Sequence, residues 1–299
     1  MLRCWKLGRA SLRLRATVEV KQAVRPEHIR KQAADSPAPP ILVINLRRET
    51  ARWQRLESAL RQRGFPCIRV SAVDARHKMH LVRTRVSRSF YSDSRHRSLT
   101  PGEICCALSH IAALKRVVRH NMPCAIIMED DTVIGDQFER FVAQDLPQFL
   151  SKCDIVKLEG FDGTSDPKRG LVVTHGVCGS LLVPFRPTMG SAAYAVTRAG
   201  AVGLLKRFST VSDPVDLMLV YYEWHGIRYG EVRPVVVWQD AVASSIASDR
   251  ELAQSARPPV RSPGALWKLI VHGGCRRALR AMVLGRHALR FRTLTVAAR

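Results

Sequence analysis

The run CAIIMEDD, residues 124–131, sets five uninterrupted apolar residues against three consecutive carboxylates. An apolar run of that length reads as a strand buried on both faces. It stops abruptly at Glu129, Asp130 and Asp131. In open α/β sheets ligands bind beyond the carboxyl ends of the strands, which is where this cluster falls. Adjacent carboxylates repel one another unless a cation or basic groups neutralise them, so a metal ion would offset the cost of placing them there. In an extended stretch the side chains of Glu129 and Asp131 project to one side and can reach one ion or its water shell. Hard oxygen ligands suit Mg²⁺ or Mn²⁺, which complete their shells with diphosphate oxygens and water. The same spacing also fits a solvated acidic turn leading into the next helix.

Upstream, ILVINL (41–46) is a short apolar run, and Trp53, Leu56 and Leu60 follow at helical spacing as far as Gly64, a natural helix stop. Ile68 and Val70 then alternate towards Asp74. A strand, a helix and a second strand in this order build a parallel sheet. From Arg76 to Ser98 the chain is basic and aperiodic, a long loop of the kind that is functional or disordered. Thr100-Pro101-Gly102-Glu103 is a strong helix start, with Thr as N-cap, Pro in the first helical position and Glu closing a capping box. The helix it opens should end near Asn121.

Downstream, a helix is expected from Gln137, strands at DIVKL (154–158), LVV (171–173), SAAYAV (191–196) and RPVVVWQ (233–239), and helix starts at Thr197 and at Asp213-Pro214. Pro-rich segments at 32–40 and 255–264 divide the chain into a basic N-terminal extension (1–40), a folded domain (41–256) and a basic tail (257–299).

The net charge of +23 has the size of a nucleic-acid signature, but the terminal segments hold most of it. Residues 1–35 carry nine Lys/Arg against three acids and 257–299 carry ten against none. Like-charged ends are solvated tails or arms that touch polyanions, an anionic membrane surface among them. Zinc-finger spacing, an RNP-like aromatic strand and a convincing helix-turn-helix are all missing, which argues against nucleic acid as the partner. The eight cysteines are scattered without a CxxC pair and read as reduced, buried thiols of a cytosolic protein. With no apolar stretch of signal or membrane-spanning length, the expected location is the cytoplasm, with peripheral contact at the inner face of the cytoplasmic membrane.

Four stretches in order, VINLRRETAR (43–52), SAVDA (71–75), LTPGEICCALSHIAALKRV (99–117) and AIIMEDDTVI (125–134), resemble glycosyltransferase family 25. That family comprises the lipooligosaccharide galactosyltransferases and their collagen hydroxylysine galactosyltransferase relatives. Weaker matches follow in GSAAYAVTRAGA (190–201), DPVD (213–216) and RPVVVWQDAVASSI (233–246). The resemblance implies a GT-A-like nucleotide-sugar-binding α/β fold with a mainly parallel central sheet flanked by helices. It also implies a UDP-sugar donor, usually UDP-galactose, a glycan or glycolipid acceptor, and transfer with inversion to a β-linkage. The acidic triplet corresponds to the family's metal and diphosphate motif, so Glu129 and Asp131 are the expected Mn²⁺ or Mg²⁺ ligands, with Asp130 supporting them. One departure is Cys105, where the family pattern has Gly.

Asn45 and Arg48 end the first strand, where a nucleotide could meet them, and Asp74 ends the second, where it could accept from uracil or ribose. Glu103 and His110 lie seven apart, on one helical face; the first serves the cap or the donor, the second the core or the diphosphate. One-step inversion needs a general base at the acceptor hydroxyl. Asp216 in DPVD matches a family acid, with Glu223 and His225 as alternatives; it also fits a helix cap. Two other readings stay open: a catalytically silent carbohydrate- or anion-binding protein of the same fold, and a basic nucleic-acid-binding protein.

Overall fold

The computed structural model describes residues 38–77, 99–160, 170–185, 187–208, 211, 213–220, 226–240 and 282. The elements below belong to one compact unit, Pro37–Arg299.

Strand β1 (Ile41–Asn45) is buried along its whole length. Helix α1 (Thr50–Gln62) buries Leu56 and Leu60 and ends where Gly64 turns the chain at φ +79°, a conformation that costs glycine little. The chain returns as β2 (Cys67–Ser71), parallel to β1. Helix α2 (Pro101–Arg119) then leads into β3 (Cys124–Glu129), which lies parallel on the other side of β1. The start of α2 follows the sequence pattern: Glu103 N–H donates to Thr100 Oγ1 at 3.2 Å and Thr100 N–H donates to Glu103 Oε2 at 3.0 Å. Thr100→Ala removes half of this box and is expected to lower stability by about 1 kcal/mol in urea unfolding, an effect that Thr100→Ser should largely spare.

The remaining elements are β4 (Thr132–Ile134), α3 (Phe138–Gln144), α4 (Leu146–Lys152), β5 (Ile155–Lys157), β6 (Glu159–Gly160), β7 (Gly170–His175), β8 (Ser180–Pro184), β9 (Ala193–Thr197), α5 (Arg198–Arg207), α6 (Val215–Val220), β10 (Tyr229–Arg233) and β11 (Val237–Gln239). Among the described residues, eight strands form the main sheet in the order β2-β1-β3-β9-β5-β10-β8-β7, and β4-β11-β6 form a small second sheet.

The α/β class and the flanking helices match the expectation, but the sheet is mixed. It is parallel through β2, β1 and β3, whereas β9 runs antiparallel to both β3 and β5, and β8 is antiparallel to β10 and β7. An apolar run reports burial on both faces and carries no record of strand direction, which the connections decide. The expected single strand 233–239 is likewise divided: β10 ends at Arg233 and β11 begins at Val237 in the other sheet. Pro234, which lacks an N–H, cannot continue the ladder.

Alternate residues of the central strands feed two cores, as a pleated strand covered on both faces requires. Leu42, Ile44, Ala125 and Ile127 pack with Leu114 and Val117 of α2 and Leu204 of α5. Ile41, Val43, Ile126 and Met128 pack with Leu56 and Leu60 of α1 and Phe138, Phe141 and Phe149 of α3 and α4. The carboxyl ends of β1 and β3, clamped between these layers, hold the polar residues that follow.

Candidate active site

Where β1, β2 and β3 end, a cavity of about 410 Å³ opens, with Glu129, Asp130 and Asp131 on its wall. Arg48, Arg52 and Arg76 line it as well. Its size is that of a small-molecule site, and three guanidinium groups beside three carboxylates suit a ligand that brings both anionic groups and a cation.

The triplet is a turn, not the extended stretch the sequence suggested. β3 ends at Glu129, Asp130 and Asp131 make the corner, and β4 starts at Thr132. Thr132 Oγ1 fastens the corner by donating to the Glu129 carbonyl at 2.7 Å and lies 3.1 Å from that of Ala192. Each carboxylate therefore has its own surroundings. Glu129 Oε1 accepts from Ser191 Oγ at 2.6 Å and lies 3.2 Å from His110 Nε2. Asp130 accepts from Asn45 Nδ2 at 2.5 Å and lies 3.6 Å from Arg52. Asp131 Oδ2 accepts from Gln239 Nε2 at 2.8 Å, a contact set by the pairing of β11 with β4. Asp131 Oδ1 is buried and has no hydrogen-bond partner among the described residues.

These surroundings move the acidities. Burial pushes Asp131 up to about 6; the charges of Glu129 and Asp130 add to this, and Gln239 and Arg52 oppose it. Burial also raises Asp130, with Asn45 and Arg52 pulling the other way. A carboxylate so raised is short of positive charge.

The family described as Glycosyltransferase family 25 (LPS biosynthesis protein) matches the chain over residues 38–219, which takes in the whole acidic turn and the strands that carry it. The chain belongs to glycosyltransferase family 25. Among curated relatives, lipooligosaccharide biosynthesis protein lic2B of Haemophilus influenzae is 24% identical over 185 residues, covering 59% of this chain and 68% of that protein. The lacto-N-neotetraose biosynthesis glycosyltransferase LgtB of Neisseria meningitidis serogroup B is 26% identical, over 49% of this chain and 57% of that protein. The probable inactive glycosyltransferase 25 family member 3 of Rattus norvegicus is 28% identical, over 63% of this chain but only 32% of its own length.

Within this family 25 chain the cavity wall carries Arg48, Asp74 and the whole triplet. Arg48 forms ion pairs with Asp74 and, at 3.3 Å, with Glu49. Burial pushes Asp74 up, but the Arg76 backbone N–H and Arg48 together hold it below the usual carboxylate range. Three other expected residues stand behind the wall. Asn45 is fully buried: Nδ2 donates to Asp130 and to the Glu49 carbonyl at 2.9 Å, while Oδ1 accepts from Arg69. Arg69 is itself stacked over Trp53 at 5.1 Å. His110, also fully buried, faces Glu129 through one ring nitrogen and the Tyr194 hydroxyl, at 3.1 Å, through the other. Glu103 commits its carboxylate to the cap of α2 and is absent from the lining.

Asp216 lies in the first turn of α6, accepts from Leu217 N–H at 2.9 Å, and is not among the residues that line the cavity. Glu223, His225, the basic segment 78–98 and both chain ends up to 37 and beyond 240, apart from Met282, lie outside the described residues. Cys105, the departure from the family pattern, packs with Ile104, Val73, Ala75, Leu99 and Leu108 and also lines the cavity. The residues that sequence reasoning missed, Arg52 and Ser191 as partners of the triplet, Tyr194 as the partner of His110 and Gln239 as the support of Asp131, come from four separate elements or loops. Only the pairing of strands far apart in sequence brings them together.

Proposed function

We propose that this chain is an inverting, metal-dependent glycosyltransferase that moves galactose from UDP-galactose, with formation of a β-linkage, onto a lipooligosaccharide or related glycan acceptor. The observation that carries the proposal is Asp131 Oδ1, a buried carboxylate oxygen with no hydrogen-bond partner among the described residues, on the wall of an arginine-lined cavity. A buried anionic acceptor left open is costly unless a cation meets it. Asp131 would hold Mn²⁺ or Mg²⁺, with Glu129 on the same ion or its waters; Asp130, engaged by Asn45 and Arg52, keeps the corner in place. When bound, the ion supplies positive charge to the diphosphate that UDP carries away. Arg48, Arg52 and Arg76 add fixed positive charge where diphosphate oxygens would lie.

The general-base role of Asp216 belongs to this proposal on the family pattern alone, since the described geometry leaves it off the cavity wall. So does the cytoplasmic location with peripheral membrane contact through the basic tail; no described helix is long and apolar enough to cross a membrane. Deleting 257–299 should lower binding to anionic vesicles and leave transfer to a soluble acceptor largely intact; unchanged vesicle binding would remove the tail from the proposal.

The test of the activity is release of UDP from UDP-galactose with a β-galactosyl-accepting oligosaccharide, in Mn²⁺ and in EDTA. Release that depends on both metal and acceptor is expected. Donor-dependent thermal stabilisation without release would favour the silent binding protein instead, and a salt-sensitive shift of nucleic acid would favour the third reading.

A further inference from the structure

Beside the acidic corner lies a donor set of a different chemical character. Cys106 and His110 sit one turn apart on α2, a spacing that sets two side chains on one face, and that face meets the end of β3 at Glu129. The Cys106 thiol, a ring nitrogen of His110 and a carboxylate oxygen of Glu129 lie within 4.8 Å of one another. We infer that Cys106, His110 and Glu129 form a second divalent-metal site, selective for a thiophilic ion such as Zn²⁺ and sharing Glu129 with the acidic corner.

Three features fit this assignment. The first is size: Zn–S near 2.3 Å and Zn–N or Zn–O near 2.0 to 2.2 Å, at tetrahedral angles, imply about 3.4 to 3.6 Å between ligand atoms. The His110–Glu129 pair is already at 3.2 Å, and the whole trio needs no more than about 1.4 Å of closure on that same estimate. The second is the support behind the histidine. A metal-bound imidazole needs an acceptor for the hydrogen on its other nitrogen, and the Tyr194 hydroxyl stands 3.1 Å from Nδ1 with its ring stacked on the imidazole at 5.7 Å.

The exchange balances in protons. Without metal, the carboxylate can only accept, so Nε2 carries the hydrogen and Nδ1 accepts from the tyrosine. On binding, the ring hydrogen moves to Nδ1, the Tyr194 hydroxyl turns from donor to acceptor, Nε2 offers its lone pair to Zn²⁺, and the thiol proton of Cys106 leaves to solvent.

The third feature is access. Cys106 and Glu129 line the cavity, so the site keeps an open side towards it. Cys106 is a thiol and not part of a disulfide. Sulfur and imidazole favour Zn²⁺ over Mg²⁺ and Mn²⁺, whereas the all-oxygen corner favours the hard ions. On the donor-site reading proposed above, Zn²⁺ at the trio withdraws Glu129 from that corner and opposes Mn²⁺-supported transfer. The binding test below does not depend on transfer.

The experiment titrates the reduced full-length chain with Zn²⁺ against a chromophoric chelator, and with Co²⁺ for its thiolate-to-metal charge-transfer band. The wild type should bind Zn²⁺ and show the band with Co²⁺. Cys106→Ser should lose the band and at least about 10-fold in Zn²⁺ affinity, and Tyr194→Phe should keep the band and lose about 10 to 100-fold. Cys124→Ser and Asp131→Asn should retain both. In the wild type, Zn²⁺ should also protect Cys106 from alkylation, read by mass spectrometry, a measurement that needs no variant to fold. Absence of Zn²⁺ binding would overturn the site. So would unchanged affinity in a folded Cys106→Ser, or loss of binding in Asp131→Asn with Cys106 still alkylated in Zn²⁺.

Discussion

Asp131→Asn is expected to slow sugar transfer by about 10² to 10³-fold, the equivalent of about 3 to 4 kcal/mol of transition-state stabilisation, while the fold survives. The substitution keeps size and removes one ligand charge. The amide oxygen can still accept from Gln239, which holds Asp131 at 2.8 Å, so the junction of β11 with β4 should persist. What changes is the other oxygen, buried and unpartnered among the described residues, which becomes an NH₂ that repels a cation. Charge develops on the diphosphate as the glycosidic bond breaks, so the loss should fall on turnover as well as on donor binding. Glu129→Gln should cost less, because Ser191 and His110 already engage its carboxylate. Rates measured against Mn²⁺ concentration for wild type and both variants, with EDTA-treated protein as baseline, separate the two. Full activity in EDTA, or an Asp131→Asn enzyme with a wild-type Mn²⁺ response, would return the triplet to an acidic turn.

The part of this site that could be read in the sequence was local. CAIIM announced a buried strand and Thr100-Pro101-Gly102-Glu103 a capped helix because each signal is complete within a few residues, and β3 and α2 follow them closely. Position at the end of β3 was legible for the same reason. The roles of individual residues were not. Asn45 reads as a ligand contact because it is polar and ends a strand; whether it faces the cavity or the core depends on Arg69 and Asp130, 24 and 85 residues away. Gln239 could be paired with Asp131 only through the small second sheet, which a Pro-interrupted run at 233–239 conceals. Strand direction was hidden in the same way. β9 is as apolar as β3, and only its register, Ala193 against Met128 through Thr197 against Cys124, shows that it runs the other way.

The same carboxylate should leave a thermodynamic mark on the metal-free protein. Burial and then the neighbouring charge of Glu129 raise Asp131 to about 6 from an ordinary 3.8. Between those values the folded chain holds a proton that the unfolded chain has released. Stability therefore falls as pH rises through that window, and the loss levels off above the folded value. A displacement of about two pH units corresponds to roughly 3 kcal/mol at most. Other acids titrate in the same range, and Asp74 and Asp154 are shifted the opposite way. The informative quantity is thus the difference between wild type and Asp131→Asn, both treated with EDTA. Urea unfolding from pH 4 to pH 7.5 should show wild type losing roughly 2 kcal/mol relative to the variant, since part of the window already lies below pH 4. Adding Mn²⁺ at neutral pH should restore the wild type and leave the variant where it is, because an ion that binds only the folded state stabilises in proportion to the logarithm of its concentration above Kd. Parallel pH curves for the two proteins would mean that Asp131 ionises as freely in the fold as in water, and the electrostatic case for a cation at this corner would go with it.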